Sequence, residues 1–215
     1  MPAPAQPHRC LIELHYLPSV TYMAALRQFS EIRIERFEHV EKQSYRNRCH
    51  VLAAHGPETL IVPLTGKHGK IIITDVQIDY SQKWMLNHIR TLQSAYRKAP
   101  YYDYYADDLW QLMEKRFTTV YEMNFSILQL LMRWFRCAAS LTETERYEKV
   151  CDHDTVDLRN RIHPKKHLPD LIFPEYTQVF GQTFIPGLSS IDLIFCTGPE
   201  AVHYLPSLPA LLNNS

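Results

Sequence analysis

Three groups of residues have the types and spacing to do chemistry. The first is Lys42, Arg46, Asn47 and Arg48, inside the polar run from His39 to Arg48. On an extended strand Arg46 and Arg48 alternate onto one side, a spacing that grips a phosphate or carboxylate in bidentate fashion. Asn47 then falls on the opposite side unless the backbone turns. The same run also reads as a solvated edge strand whose charges block pairing. The second group is Trp84 and His88, four residues apart, with Tyr96 further along the same helical pattern. An imidazole titrates near neutrality and is the usual general acid or base, and an indole face can stack on a ring; the bland alternative is a packed core histidine. The third is the tyrosine segment Tyr101, Tyr102, Tyr104 and Tyr105, with Asp103, Asp107 and Asp108. It reads either as the wall of a polar pocket with Tyr101 positioning a ring, or as core filler with wet hydroxyls.

Other candidates carry less. Cys151-Asp152-His153-Asp154 offers metal-binding side chains in one short run, with no second cluster to close a coordination sphere. The basic run from Arg159 to Lys166 is a solvated loop or, alternatively, a second anion-binding wall in which Arg159 folds over Arg46 and Arg48. Thr65 to Lys70 reads as a hairpin loop rather than a phosphate cradle, because it lacks the GxxxxGK[ST] pattern and precedes a strand-like run. Serine-hydrolase, zinc-protease and dinucleotide signatures are absent. No cofactor is assigned and no metal site is expected.

The elements that must position these groups centre on residues 79–110. Ser81 reads as the cap of a helix over 81–98, whose apolar stripe is Met85, Ile89, Leu92 and Tyr96, with Trp84 and His88 at its edge. Pro100 breaks that helix, and a second follows over 106–115, where Asp107 and Asp108 suit the positive end. Thr118 or Thr119 caps a third helix, apolar nearly all round and therefore the buried central helix near 119–136. On it Asn124 is a satisfied buried amide or a site residue. Upstream, strand candidates at 11–15 and 31–37 flank a short helix over 21–29, a succession that favours a parallel βαβ unit. Strands at 49–54 and 58–62 flank His55-Gly56-Pro57 as a hairpin. The β-branched run over 71–79 reads as the clearest strand. A further strand is expected at 137–141, a long surface loop over 143–167, and short helices over 189–195 and 199–205. The fold expected is therefore α/β: a single domain over 10–215 behind a flexible lead at 1–9, with a mixed β-sheet packed by helices.

Composition narrows the function classes. Lys plus Arg and Asp plus Glu both number 23, so no global field draws in nucleic acid, and any anion site must be local. The cysteines are odd in number, at 5, and form no CxxC pair, against a disulfide framework or a structural zinc. No apolar run is long enough to span a bilayer, and the N-terminal residues lack a signal-peptide core, so a cytoplasmic location is expected.

Several segments together resemble the WbqC-like family of bacteria. They are Tyr16-Leu17-Pro18 followed by Tyr22, KQSYRNR at 42–48, Leu60 to Pro63, Asp75 to Trp84 with His88 and Tyr96, KAPYYDYY at 98–105, TQVFG at 177–181 and FIPGLSSIDLIFCTGP at 184–199. The resemblance covers about residues 10–205, and DLRNRIHPKK at 157–166 resembles the branch found in Bacteroidetes. Many members open with HQPxYLP; here Ile12 and Glu13 stand in place of its His and Gln, and His15 occupies the variable position. The family takes its name from a protein encoded among O-antigen biosynthesis genes. The resemblance therefore implies a transferase-type step on a sugar-linked or anionic small molecule in cell-surface polysaccharide synthesis, with acyl or aminoacyl transfer to an amino sugar as one such step. In that reading Lys42, Arg46, Asn47, Arg48 and Arg159 bind the substrate's anion, Trp84, Tyr96 and Tyr101 line the site, and His88 moves a proton. The rival is a non-catalytic ligand-binding or scaffold protein in envelope assembly.

Overall fold

The computed structural model describes residues 8–66, 71–166, 168 and 171–208. Most of the expected lead, and residues 67–70 of the loop after Thr65, lie outside the described residues. β1 (Arg9–Ile12), α1 (Val20–Leu26) and β2 (Glu31–Ile34) form the expected βαβ unit, with Arg9 opposite Glu31 and Ile12 opposite Ile34 in a parallel register. Ser19 caps α1 by accepting the Tyr22 amide, and every residue of the helix is buried. The hairpin follows as β3 (Arg48–Ala53) and β4 (Gly56–Ile61), paired antiparallel from Arg48–Ile61 to Ala53–Gly56.

The run over 71–79 is not a strand. Ile72 bridges His39, a 3-10 turn occupies Ile73–Asp75, Gln77 bridges Thr119 and Ile78 bridges Leu64. Its residues find partners in three different segments, so no ladder propagates, although Ile73, Val76 and Ile78 are buried as β-branched residues should be. α2 (Trp84–Tyr96) begins three residues after Ser81, with Lys83 as its N-cap and no side-chain cap. The Ser81 amide instead donates to Asp79 Oδ1 at 2.8 Å, closing a local turn. The buried face of α2 is Trp84, His88, Leu92, Ala95 and Tyr96, so Trp84 and His88 lie within the apolar stripe rather than at its edge. After the Pro100 break, α3 (Tyr102–Met113) starts earlier than expected, with Asp103 rather than Asp107 or Asp108 in its first turn. α4 (Val120–Trp134) is the buried helix, opened by a complete capping box between Thr119 and Glu122.

β5 (Ser140–Glu143) pairs parallel with β2, and β6 (Thr155–Asp157) pairs parallel with β1. The main sheet therefore has four strands in the order β5-β2-β1-β6, and the antiparallel hairpin is a separate ribbon. β6 lies inside the stretch expected to be a continuous surface loop; three residues flanked by charge carry too little pattern to mark a strand. α5 (Ser190–Thr197) and a 3-10 turn over Gly198–Tyr204 complete the fold. Tyr176 and Gln178 both hydrogen-bond Asp192 Oδ2 in the first turn of α5, at 2.5 and 3.0 Å, tying the proline-rich tail to the core. All helices and both sheets contribute to one apolar cluster, and among the described residues no helix is long and apolar enough to cross a membrane.

Candidate functional site

In open parallel sheets the crevice beyond the carboxyl ends of the strands is where ligands usually bind. Here every parallel strand delivers polar residues to that end: Glu13 and His15 after β1, Glu35 and Glu38 after β2, Thr144 after β5, and Arg159 and Asn160 after β6. Glu13, His15, Glu35, Glu38 and Thr144 are deeply buried and Arg159 and Asn160 partly so, and buried charges must be paired. Arg46 donates Nε–H to Glu38 Oε1 at 2.8 Å and Nη2–H to both Glu38 Oε2 and Asn160 Oδ1. Arg159 grips Asp157 at 2.9 and 2.7 Å and Glu35 at 3.0 Å. Glu13 receives the His15 Nε2–H at 3.0 Å and the Asn160 amide at 2.9 Å.

The electrostatics follow from that pairing. Burial opposes the charge on Glu13, but the His15 N–H, nearby Arg46 and the Asn160 amide hold its carboxyl down to about 2. Burial drives the His15 pKa down, which fits a neutral ring donating to an ionised Glu13. Carboxylates outnumber guanidinium groups in this network. Burial, with Glu13 and Glu35 adding repulsion, outweighs Arg46 and pushes Glu38 up to about 7.

The segment 40–48 lies over this network. Its inner face is Arg46, only 1% exposed, and the buried Asn124 side chain fixes the turn by donating to the Arg46 carbonyl at 2.7 Å. Its outer face forms one wall of a groove of about 720 Å³, within the size range of small-ligand sites. Lys42, Asn47 and Arg48 line it together, Gln82 stands beside them, and Ile61 to Leu64 with Val76 supply an apolar floor. Neither Lys42 nor Arg48 has an ion pair or side-chain hydrogen bond among the described residues, and Arg48 Nε is buried without an acceptor. Glu41 also lines the groove, but it faces Arg46 Nη1 and His163 Nε2, each at 3.6 Å, so its charge is already offset. The groove thus presents two uncommitted cations over an apolar floor.

The structure brings together part of the expected set. Arg46 and Arg48 do not share a side, because residues 42–47 form turns rather than a strand; Arg46 points into the ionic network and Arg48 into the groove. Asn47, expected opposite Arg48, lines the groove with it while donating to the Val62 carbonyl at 2.8 Å. His88 is 6% exposed and both its ring nitrogens are engaged: Nδ1 accepts from Tyr16 at 2.9 Å and Nε2 meets the Ile61 carbonyl. Burial brings its pKa down to about 4. Because Ile61 lines the groove, His88 sits behind the groove wall rather than in it. Trp84 packs edge-on against His88 at 5.1 Å. Tyr96 is fully buried and accepts the Leu52 amide at 3.0 Å. Tyr101 lies over Gly198, where a Cβ would come within 2.3 Å of its ring. Arg159 belongs to the sheet-end network. Sequence reasoning missed Glu41, Gln82 and the buried acids Glu13, Glu35 and Glu38; Glu38, directly after the strand candidate at 31–37, was the available signal.

The sequence profile of the WbqC-like protein family matches residues 14–168 and 168–204. The chain belongs to that family. The match opens at Leu14, just past Ile12 and Glu13, where the sequence departs from the family's His-Gln opening. Rv1507c, an uncharacterised protein of Mycobacterium tuberculosis, is 24% identical to this WbqC-like chain over 226 residues, covering 91% of this chain and 96% of that protein. No solved structure matches.

Proposed function

We propose that this WbqC-like protein is a cytoplasmic transferase-type enzyme acting on an anionic, sugar-linked substrate in cell-surface polysaccharide synthesis. Acyl or aminoacyl transfer to an amino sugar is the reaction it fits best. The observation that carries the reading is the groove in which Lys42 and Arg48 stand, without partners among the described residues, above an apolar floor. Arg48 presents a planar fork to a phosphate or carboxylate and Lys42 a mobile point charge. Asn47 and Gln82 supply amide donors and acceptors for sugar hydroxyls, and the floor excludes water beneath the ring. In the transfer step the amino nitrogen attacks the donor's acyl carbon, the bond to the donor's leaving group breaks, and the nitrogen loses a proton. Glu41 is the carboxylate lining the groove that can receive that proton, with Arg46 and His163 behind it. His88 then acts as a positioning residue, bracing the Ile61 wall.

The full occupation of both His88 nitrogens favours a second reading, a protein that holds the same ligand without turning it over. Incubating the protein with nucleotide-linked amino sugars and acyl or aminoacyl donors, and reading products by mass spectrometry, separates the two. The transferase reading predicts an acylated sugar that disappears with Glu41→Gln while ligand binding persists. Binding with no product from the wild type supports the holding role instead.

A further inference from the structure

A second groove, of about 480 Å³, lies at the N-terminal end of α4. Its wall is aromatic. The rings of Tyr121 and Phe125, one helical turn apart, form a stacked pair with centroids 6.2 Å apart and planes 22° from parallel, Tyr121 being the buried member. Phe125 is partly exposed. Around this wall stand Glu122, Glu143 and Arg116. Glu143 Oε1 accepts the Tyr121 hydroxyl at 2.5 Å, and Glu122 Oε2 accepts the Thr119 amide at 3.1 Å, which leaves each carboxylate a second oxygen with lone pairs to offer.

Arg116 is the more telling residue. Its φ is +51°, a left-handed conformation that glycine adopts freely and an arginine adopts at a cost. The guanidinium rests over the Tyr80 ring at 4.9 Å and has no hydrogen bond or ion pair among the described residues. The left-handed turn is how the chain leaves α3, as Arg136 does after α4, and it leaves the Arg116 guanidinium with donors free to meet a ligand in the groove.

We propose that this groove is a binding site for a neutral or amino-bearing pyranose ring, distinct from the cationic groove. The partly exposed Phe125 ring matches the axial C–H face of such a ring, and carboxylates and a guanidinium at its rim match the hydroxyls. Arg36, 3.9 Å from Glu143 and solvent-exposed, offsets that carboxylate only weakly, so Glu122 and Glu143 against Arg116 leave the lining negative, which disfavours uronate or phosphorylated rings. The inference does not rest on the anion-binding reading and stands or falls separately from it.

The test is saturation-transfer NMR of the full chain with methyl pyranosides, a 2-amino-2-deoxy pyranoside and a glucuronide. The neutral and amino sugars are expected to receive saturation and the glucuronide to bind more weakly. Phe125→Ala is expected to weaken binding about three- to tenfold, the loss of one aromatic contact. Arg116→Gly is expected to weaken binding while holding or raising the melting temperature, because glycine relieves the left-handed backbone; a merely structural arginine would lower it. Arg48→Ala in the other groove should leave pyranoside binding unchanged. Absence of saturation transfer to every pyranoside overturns the assignment, as does binding that survives both Phe125→Ala and Arg116→Gly, or a glucuronide that binds as well as the neutral sugars.

Discussion

The Tyr16 hydroxyl donates to His88 Nδ1 at 2.9 Å, joining the segment that leaves β1 to the buried face of α2. Burial keeps the imidazole neutral by bringing its pKa down to about 4 from 6.5, and with Nδ1 taking the Tyr16 hydroxyl the ring proton sits on Nε2, towards the Ile61 carbonyl. The unfolded chain therefore takes up this proton first as the pH falls. The contribution is complete above pH 6.5 and lost progressively towards pH 4, and amounts to about 3 kcal/mol. Urea denaturation across pH 7 to 4 should show this decline, and His88→Gln should flatten its slope while lowering stability at pH 7. An unchanged slope would mean that His88 is not held neutral.

Arg46 lies under the groove wall and neutralises Glu38 through a bidentate contact. Arg46→Met should cost about 3–5 kcal/mol at pH 8, because it strands a buried carboxylate. The cost should shrink as the pH falls, since Glu38, already pushed up to about 7, can then take a proton. Adding Glu38→Gln should restore part of the loss. Equilibrium unfolding of the single and double variants measures all three effects.

The capping box of α4 makes a cleaner local prediction. Thr119 accepts the Glu122 amide at 3.2 Å and Glu122 returns a bond to the Thr119 amide at 3.1 Å. Thr119→Ala should cost about 1 kcal/mol in chemical denaturation and leave no core cavity, because the position is partly solvent-facing. A neutral outcome would mean that the flanking bridge between Gln77 and Thr119 holds the helix start unaided.

How far the sequence foretold this molecule depends on whether an element's cause is local. The α4 cap was legible to within one residue, Thr118 or Thr119, because its signal, a threonine ahead of an apolar run, is confined to one turn. The βαβ unit was legible because strand alternation and a short helix succeed one another within 26 residues, Arg9 to Ile34. Residues 71–79 misled because β-branched side chains report burial as readily as strand pairing, and here each bridge goes to a different neighbour. β6 was invisible because its pairing to β1 is set entirely by tertiary contact.

The candidate site divides along the same line. Lys42, Asn47 and Arg48 were grouped from residue type and proximity in sequence, and they line one groove. The separation of Arg46 from Arg48 was not, because the alternation argument assumes an extended backbone and residues 42–47 turn, with Gln43 itself at φ +58°. His88 drew attention by its type, yet its partners Tyr16 and Ile61 come from distant segments, and only they reveal a neutral structural ring.

Isothermal titration calorimetry of the wild type with a panel of nucleotide-linked sugars, beside Arg48→Ala and Lys42→Ala, tests whether Arg48 and Lys42 form an anion-binding groove. Saturable binding is expected that weakens about tenfold to a hundredfold in Arg48→Ala, as the loss of a charge-assisted contact should, and that weakens with rising salt. Binding to the wild type and to both variants with equal affinity, or no binding by any member of the panel, would contradict it.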